Sequence, residues 1–304
     1  MDFGQIEDDT AIIYKSNKDL LINTDVLVEN VHFSSKTASP NDIGWKAITS
    51  NISDLVASGA EEILNITVGL ITPPSTEWNW VEGVYEGMEK ALNKFGGKLI
   101  GGDCSKGKEK ILAITAIGSL GPLRLHRANG LPGDCLVTSG CHGLSRLGLA
   151  LLIDEPIANL KIIPRSLKRK AINAHLRPQP SIEGLRKLEE CKPNHLPWRA
   201  AGTDSSDGLL EAVESLCLSS GCKGILSYDD LPRDNEWPKG NYWDNWCLYG
   251  GEDYELVLSM PESWAAAWIK SMPKAIKIGR LEKGFPKVYW ENGEEINNLA
   301  FKHF

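Results

Sequence analysis

The apolar run Leu20-Leu-Ile22 is followed directly by Asn23, Thr24 and Asp25. That order constrains the fold more than any other feature of the chain. Three oxygen-bearing side chains in a row are poor strand formers, so the sequence predicts that a strand breaks there as it leaves the core. Side chains of this kind suit a hard cation. His32 and Phe33 add a ring nitrogen and an aromatic face a few residues later. Asp8-Asp9, Asp54, Asp103, Asp204 and Asp207 are expected to converge on this stretch.

Glycine and carboxylate recur together in Gly101-Gly-Asp103, Ser206-Asp-Gly208 and Gly250-Gly-Glu-Asp253. Glycine lets a main chain pass close to a ligand. Neither a GxxxxGK[ST] loop nor a GxGxxG turn is present, so any phosphate chemistry is expected to depend on metal ions, without a P-loop. Two like charges about 4 Å apart repel by about 4 kcal/mol at an effective dielectric near 20. Several aspartates in one cleft therefore need cations. Mg2+ meets that need while bridging to substrate phosphates.

A chain of 304 residues is long enough for two domains, and turn-rich Arg127–Asp134 places the boundary near residue 130. The expected domains are 1–130, binding metal and nucleotide, and 131–304. Ser39-Pro40 opens a helix as N-cap and N1 residues. Ile43, Ala47, Ile48, Ile52, Leu55 and Val56 give that helix an apolar face. Strands are expected at 19–23, 63–70, 98–100, 111–118, 135–138, 275–280 and 287–291, the first of them paired in a hairpin with 11–14, and 249–258 reads as a glycine turn running into a strand. Helices are expected at 77–95, 143–153, 209–219 and 262–271, and residues 228–246 read as loop. Elements alternate without a strict βαβ rhythm, which favours an α+β class over a doubly wound sheet. The net charge of -7 carries no basic run, which argues against nucleic-acid partners. No apolar stretch is long enough to span a bilayer. The start Met1-Asp2 lacks the features of a signal peptide, and the seven cysteines include no CxxC pair. A cytoplasmic protein with reduced thiols is expected. Cys104 is expected to be a small buried residue.

Ten segments carry a resemblance in order and spacing. They are Asp8-Asp-Thr-Ala11, Asn23-Thr-Asp-Val-Leu-Val-Glu29, Val31-His-Phe33, Lys46-Ala47, Asn51-Ile-Ser-Asp-Leu55, Gly59-Ala60, Ile100-Gly-Gly-Asp103, Gly133-Asp134, Asp204-Ser-Ser-Asp-Gly-Leu209 and Gly250-Gly-Glu-Asp-Tyr-Glu-Leu256. Together they resemble the thiamine-monophosphate kinase family, within the superfamily of aminoimidazole ribonucleotide synthetase. The resemblance implies a two-domain aminoimidazole ribonucleotide synthetase-like fold. Its α/β N-terminal domain pairs its sheet across a homodimer, and its C-terminal domain is α+β. The implied reaction is Mg2+-dependent transfer of the ATP γ-phosphoryl group to thiamine phosphate. By position, Asp9, Asn23, Thr24, Asp25, Asp54, Asp103, Asp204 and Asp207 match Mg2+ ligands. Tyr85, Gly102, Asp103, Arg127 and Ser206 match ATP contacts, and His32, Glu252 and Phe301 match substrate contacts. Asp25, Asp103 and Arg127 are the implied catalytic residues. The chain departs from the family at Glu7, where a glycine is usual, and at Asn23, where a hydroxyl or another small residue is common. Selenophosphate synthetase, of the same superfamily, needs a cysteine in a glycine-rich N-terminal loop, which this chain lacks.

Overall fold

The computed structural model describes residues 17–159 and 161–297. Two compact units emerge, one from Met1–Val56 with Ala60–Gly121, the other from Ala57–Gly59 with Pro122–Phe304.

The first unit is a four-stranded sheet and two long helices. α1 (Pro40–Ala57) starts where Ser39 and Pro40 predict. The Asp42 N–H donates to Ser39 Oγ at 3.3 Å, and the Ser39 hydroxyl donates to the Asp42 carboxylate at 2.6 Å. Such a reciprocal cap satisfies N–H groups that the first turn leaves open. The predicted apolar face of α1 is fully buried. α2 (Trp78–Phe95) buries Val84, Met88, Ala91 and Leu92. The two helices touch at glycines. A Cβ at Gly44 would lie 1.9 Å from the Val84 carbonyl oxygen, and one at Gly87 would lie 1.9 Å from that of Asn41.

The strands are β1 (Leu20–Val28), β2 (Ala60–Thr72), β3 (Lys98–Lys106) and β4 (Ile111–Leu120), in the order β1-β4-β2-β3. β2 and β3 are parallel and the other pairs antiparallel. One face buries Leu27, Ile66, Val68, Leu70, Leu112, Ile114 and Ala116. Along β1 the opposite face exposes Leu20, Ile22 and Val26. The predicted break at Asn23 does not occur. β1 continues through it, with Asn23, Thr24 and Asp25 paired to Ala116, Thr115 and Ile114. Ladder hydrogen bonds to β4 outweigh weak local propensity, which is itself dependent on context.

The second unit holds β5 (Cys135–Thr138), β6 (Ala201–Asp204), β7 (Lys223–Leu226), β8 (Leu256–Met260), β9 (Ile276–Glu282) and β10 (Val288–Trp290) in one sheet, ordered β10-β7-β9-β5-β8-β6. Its helices are α3 (Leu144–Leu152), α4 (Arg165–Leu176), α5 (Ile182–Glu190), α6 (Leu209–Ser220), α7 (Asn241–Tyr249) and α8 (Glu262–Ser271). α6 packs into the main core with Leu209, Leu210, Val213 and Leu216. A second core joins Leu147, Leu167 and Ala171 to Trp237, Trp243 and Trp246. The segment expected to be loop therefore ends inside α7. Trp243, Trp246 and Cys247 fall at helical spacing and are all buried, so tertiary burial orders a stretch whose local signals are weak. Residues 122–130 pack within this unit. The Ser220 hydroxyl donates to the Arg127 carbonyl at 2.7 Å, and the Gly130 N–H donates to Ser220 Oγ at 3.0 Å. Among the described residues no helix is long and apolar enough to cross a membrane.

Candidate functional site

In the first unit, strand alternation divides the Asn-Thr-Asp motif. Asn23 and Asp25 are half-buried, whereas Thr24 is exposed and its hydroxyl meets that of Thr115 at 2.9 Å. Asn23 faces α1. Its amide donates to Asp54 Oδ2 at 2.9 Å and to Asn51 Oδ1 at 3.2 Å. Asn51 is held in turn by its own amide, which donates to the Ala47 carbonyl at 2.9 Å. Asn23 Oδ1 is left buried with no hydrogen-bond partner. A buried oxygen without a partner costs free energy, and beside Asp54 it is the kind of donor a hard cation would use. The donor set around Asn23 thus fits Mg2+.

Asp103 lies elsewhere. It is exposed on β3, opposite Gly69, while Asp25 is on β1 at the other edge of the sheet. Three strand spacings separate these edges, about 14 Å. Gly102 precedes Asp103 where only glycine fits, since a Cβ there would stand 2.1 Å from the Val68 carbonyl oxygen. Cys104 is exposed, against expectation. It neighbours Tyr85 of α2, whose phenol is pushed up to about 12, mainly by burial and further by Cys104. Tyr85 therefore stays a hydrogen-bond donor. His32 closes its own turn, its Nδ1 accepting from the Val28 N–H at 3.0 Å.

In the second unit, β6 ends on buried Asp204, and Ser206 Oγ donates to its Oδ1 at 3.1 Å. Asp207 is exposed. Arg127 donates through Nε to Thr203 Oγ1 at 3.2 Å, which anchors it beside the same strand end. Loop 250–255 runs alongside. The Glu252 N–H donates to the Ser206 carbonyl at 2.7 Å, and the Ser205 N–H donates to the Glu255 carbonyl at 3.0 Å. Glu252 and Tyr254 hold φ of 64° and 53°, a region non-glycine residues seldom adopt and one found at functional sites.

Sequence patterns give no role to Asp253, Glu255, Ser145 or His175, yet these residues build the surroundings of Glu252. Asp253 accepts from the N–H groups of Gly143 (2.6 Å) and Ser145 (2.9 Å) at the start of α3. The Ser139 hydroxyl donates to Glu255. Burial raises both carboxyls to about 7, against the lowering effect of these donors. The crowding of carboxylates in Glu252-Asp-Tyr-Glu255 is the available signal.

Asp9 and Phe301 lie outside the described residues. Among the described residues no three His, Cys, Asp or Glu side chains come close enough together to hold a metal ion. Within the first unit Asn23, Asn51 and Asp54 form one hydrogen-bonded group, and within the second Asp204 and Ser206 form another.

Residues 7–120 match the family described as AIR synthase related protein, N-terminal domain. The thiamine-monophosphate kinase of Prochlorococcus marinus is 58% identical over 307 residues, covering 100% of this chain and 92% of the relative. That of Synechococcus elongatus is 36% identical, covering 98% and 90%. The solved structure of AaThiL complexed with AMPPCP and TMP superposes with a TM-score of 0.81 at 30% identity, covering 99% of this chain and 92% of that one. The aminoimidazole ribonucleotide synthetase-like fold expected from the motifs is thus the fold of this chain, and the chain belongs to the thiamine-monophosphate kinase family.

Proposed function

We propose that this chain transfers the γ-phosphoryl group of ATP to the phosphate of thiamine phosphate, giving thiamine diphosphate and ADP. The observation that carries this reading is the 58% identity, over the whole chain, to a relative named thiamine-monophosphate kinase. The structural neighbour bound to AMPPCP and TMP supports it. AMPPCP keeps the charge and length of ATP, and TMP in a kinase of that name is taken as the acceptor.

The acceptor is itself a phosphate, so one of its oxygens attacks the γ-phosphorus while the β–γ bridging oxygen leaves with ADP. The nucleophile is already anionic, and no strong general base is required. Phosphoryl transfer through a loose transition state depends chiefly on alignment and charge neutralisation. Several Mg2+ ions would be held, some by Asn23, Asp25 and Asp54, others by Asp9, Thr24 and Asp103, and in the second unit by Asp204 and Asp207. Bound there, Mg2+ supplies positive charge to the phosphates. Arg127 adds a fixed guanidinium, and Asp25 and Asp103 are the carboxylates whose loss should weaken transfer most. Tyr85, Gly102 and Ser206 serve the nucleotide. His32, Glu252 and Phe301 serve the acceptor, with the Glu252 carboxylate matched to the thiamine cation.

The same reading includes a cytoplasmic homodimer. Exposed Leu20 (44%), Ile22 (69%) and Val26 (47%) on one face of β1 support the dimer, because apolar patches on soluble proteins commonly mark interfaces. The test is ADP release with thiamine phosphate as acceptor, titrated with Mg2+ and stripped with EDTA. Acceptor-dependent turnover that vanishes with EDTA is expected. Turnover indifferent to the acceptor or to EDTA would overturn the reading.

A further inference from the structure

Glu252 belongs to a closed polar ring that local sequence signals do not reveal. Its backbone is in the left-handed region at φ 64°, tied by its N–H to the Ser206 carbonyl at 2.7 Å. Its carboxylate Oε2 lies 3.2 Å from Nδ1 of His175, a buried residue in the last turn of α4. That same Nδ1 lies 3.0 Å from Ser145 Oγ on α3. Ser145 is fixed through its main chain, because its N–H donates to Asp253, the residue after Glu252. The ring runs from Glu252 to His175, to Ser145, to Asp253 and back along the chain. α3 and α4 are held at the separation this requires by Gly148. A Cβ there would meet the Ala171 carbonyl oxygen at 2.2 Å and the His175 Cβ at 2.9 Å.

The contact with Glu252 favours one tautomer of His175. An ionised carboxylate only accepts hydrogen bonds, so a 3.2 Å approach of Glu252 to Nδ1 calls for hydrogen on Nδ1. The C-terminal end of a helix carries partial negative charge and favours a protonated nitrogen there. In that tautomer Ser145 Oγ, 3.0 Å from the same nitrogen, shares the N–H as a second acceptor.

We propose that His175 is the positioning residue for Glu252: its Nδ1–H, steadied by Ser145, aims the Glu252 carboxylate at the cationic, thiamine side of the acceptor. The proposal rests on the reading that Glu252 meets the acceptor. A cationic heterocycle is recognised by the direction of a carboxylate as well as by its charge. A glutamate with three free torsions would present that charge over a wide cone, and the hydrogen bond narrows the cone. Hydrogen bonds to charged groups contribute enough that losing this one should raise the KM for thiamine phosphate about tenfold or more.

The test compares four variants in steady state, with KM measured separately for thiamine phosphate and ATP. Glu252→Gln tests the underlying reading. If its KM for thiamine phosphate is unchanged, Glu252 does not meet the acceptor and the reading fails. If that KM rises, the His175 variants decide the proposal. His175→Leu removes the donor, and a rise of about tenfold or more in KM for thiamine phosphate, with KM for ATP near wild type, is expected. His175→Asn puts a donor back where Nδ1 stood and should recover most of the loss. A His175→Leu enzyme with unchanged KM for thiamine phosphate, or with both KM values raised equally, overturns the proposal. So does a His175→Asn enzyme no better than His175→Leu. Should His175→Leu fail to fold, His175→Gln keeps the volume and moves the donor away from Nδ1. It is expected to show the same selective rise, and its absence counts equally against the proposal.

Discussion

His142 gives the sharpest energetic prediction. It is completely buried just before α3, with Nδ1 at 3.2 Å from the Gly140 carbonyl oxygen. Its Nε2 is buried without a hydrogen-bond partner. Burial pushes the imidazole pKa down to about 4 from 6.5, and the Gly140 carbonyl only partly opposes this. The folded-state pKa therefore lies below the unfolded one. Above pH 6.5 the ring is neutral in both states and the fold bears no penalty. As the pH falls from 6.5 towards 4, the unfolded chain takes up a proton that the folded chain refuses, and stability drops. Each pKa unit is worth about 1.4 kcal/mol, so the loss reaches about 2.6 kcal/mol at pH 4.5 and about 3 kcal/mol at pH 4, where the folded ring begins to take up the proton itself. His142→Asn removes the titration but keeps a donor for the Gly140 carbonyl, at the cost of a small cavity, about 1–2 kcal/mol. Urea unfolding followed by tryptophan fluorescence at about pH 7.5 and pH 4.5 measures both proteins on either side of that titration. The variant should be less stable by the cavity cost at the higher pH, and equal to or more stable than wild type at the lower one. Groups common to both proteins cancel in the difference. The same gap at both pH values would refute the assignment of a buried, neutral His142.

Three further outcomes are expected. Asp134 is buried, and it accepts from Arg199 at 2.6 and 2.8 Å, from Ser259 Oγ at 3.1 Å and from the Leu131 N–H at 2.9 Å. Asp134→Ala leaves Arg199 without its counter-charge and should cost about 3–5 kcal/mol in chemical denaturation, and a loss under about 1 kcal/mol would contradict the ion pair. Gly87→Ala forces a methyl against the Asn41 carbonyl at the α1–α2 contact and should destabilise by about 1–3 kcal/mol. An unchanged melting curve would mean the helices can separate freely. Asp25→Asn should lower kcat by about a hundredfold or more while the fold stays intact, whereas near-normal turnover would remove Asp25 from the reaction.

The elements with long, regular patterns are legible in the sequence. Ser39, Pro40 and the Ile43–Val56 stripe define α1 on their own, because cap and periodicity agree there. Strand β1 runs on past Asn23 against its local signals because an edge strand takes its support from a neighbour distant in sequence. Here that neighbour supplies Thr115 and Ala116, which local propensity does not sense. Helix α7 is hidden by aromatic residues whose helical run is short and whose stability comes from burial against α3 and α4. At the site, residue types are visible but placement is not. Asn23, Asp54 and Asn51 meet because α1 lies on one face of the sheet, while Thr24 turns to the other face by simple alternation. His175 and Ser145 carry no sequence signal at all, since their role arises from two helices packed through Gly148.

The most direct test of the account follows the phosphorus atom. ATP labelled at the γ-phosphate is incubated with the protein, thiamine phosphate and Mg2+, and the products are separated by chromatography. The account predicts label in the terminal phosphate of thiamine diphosphate, in one-to-one ratio with ADP. Label in inorganic phosphate or retained in ATP, with the protein folded, would contradict it.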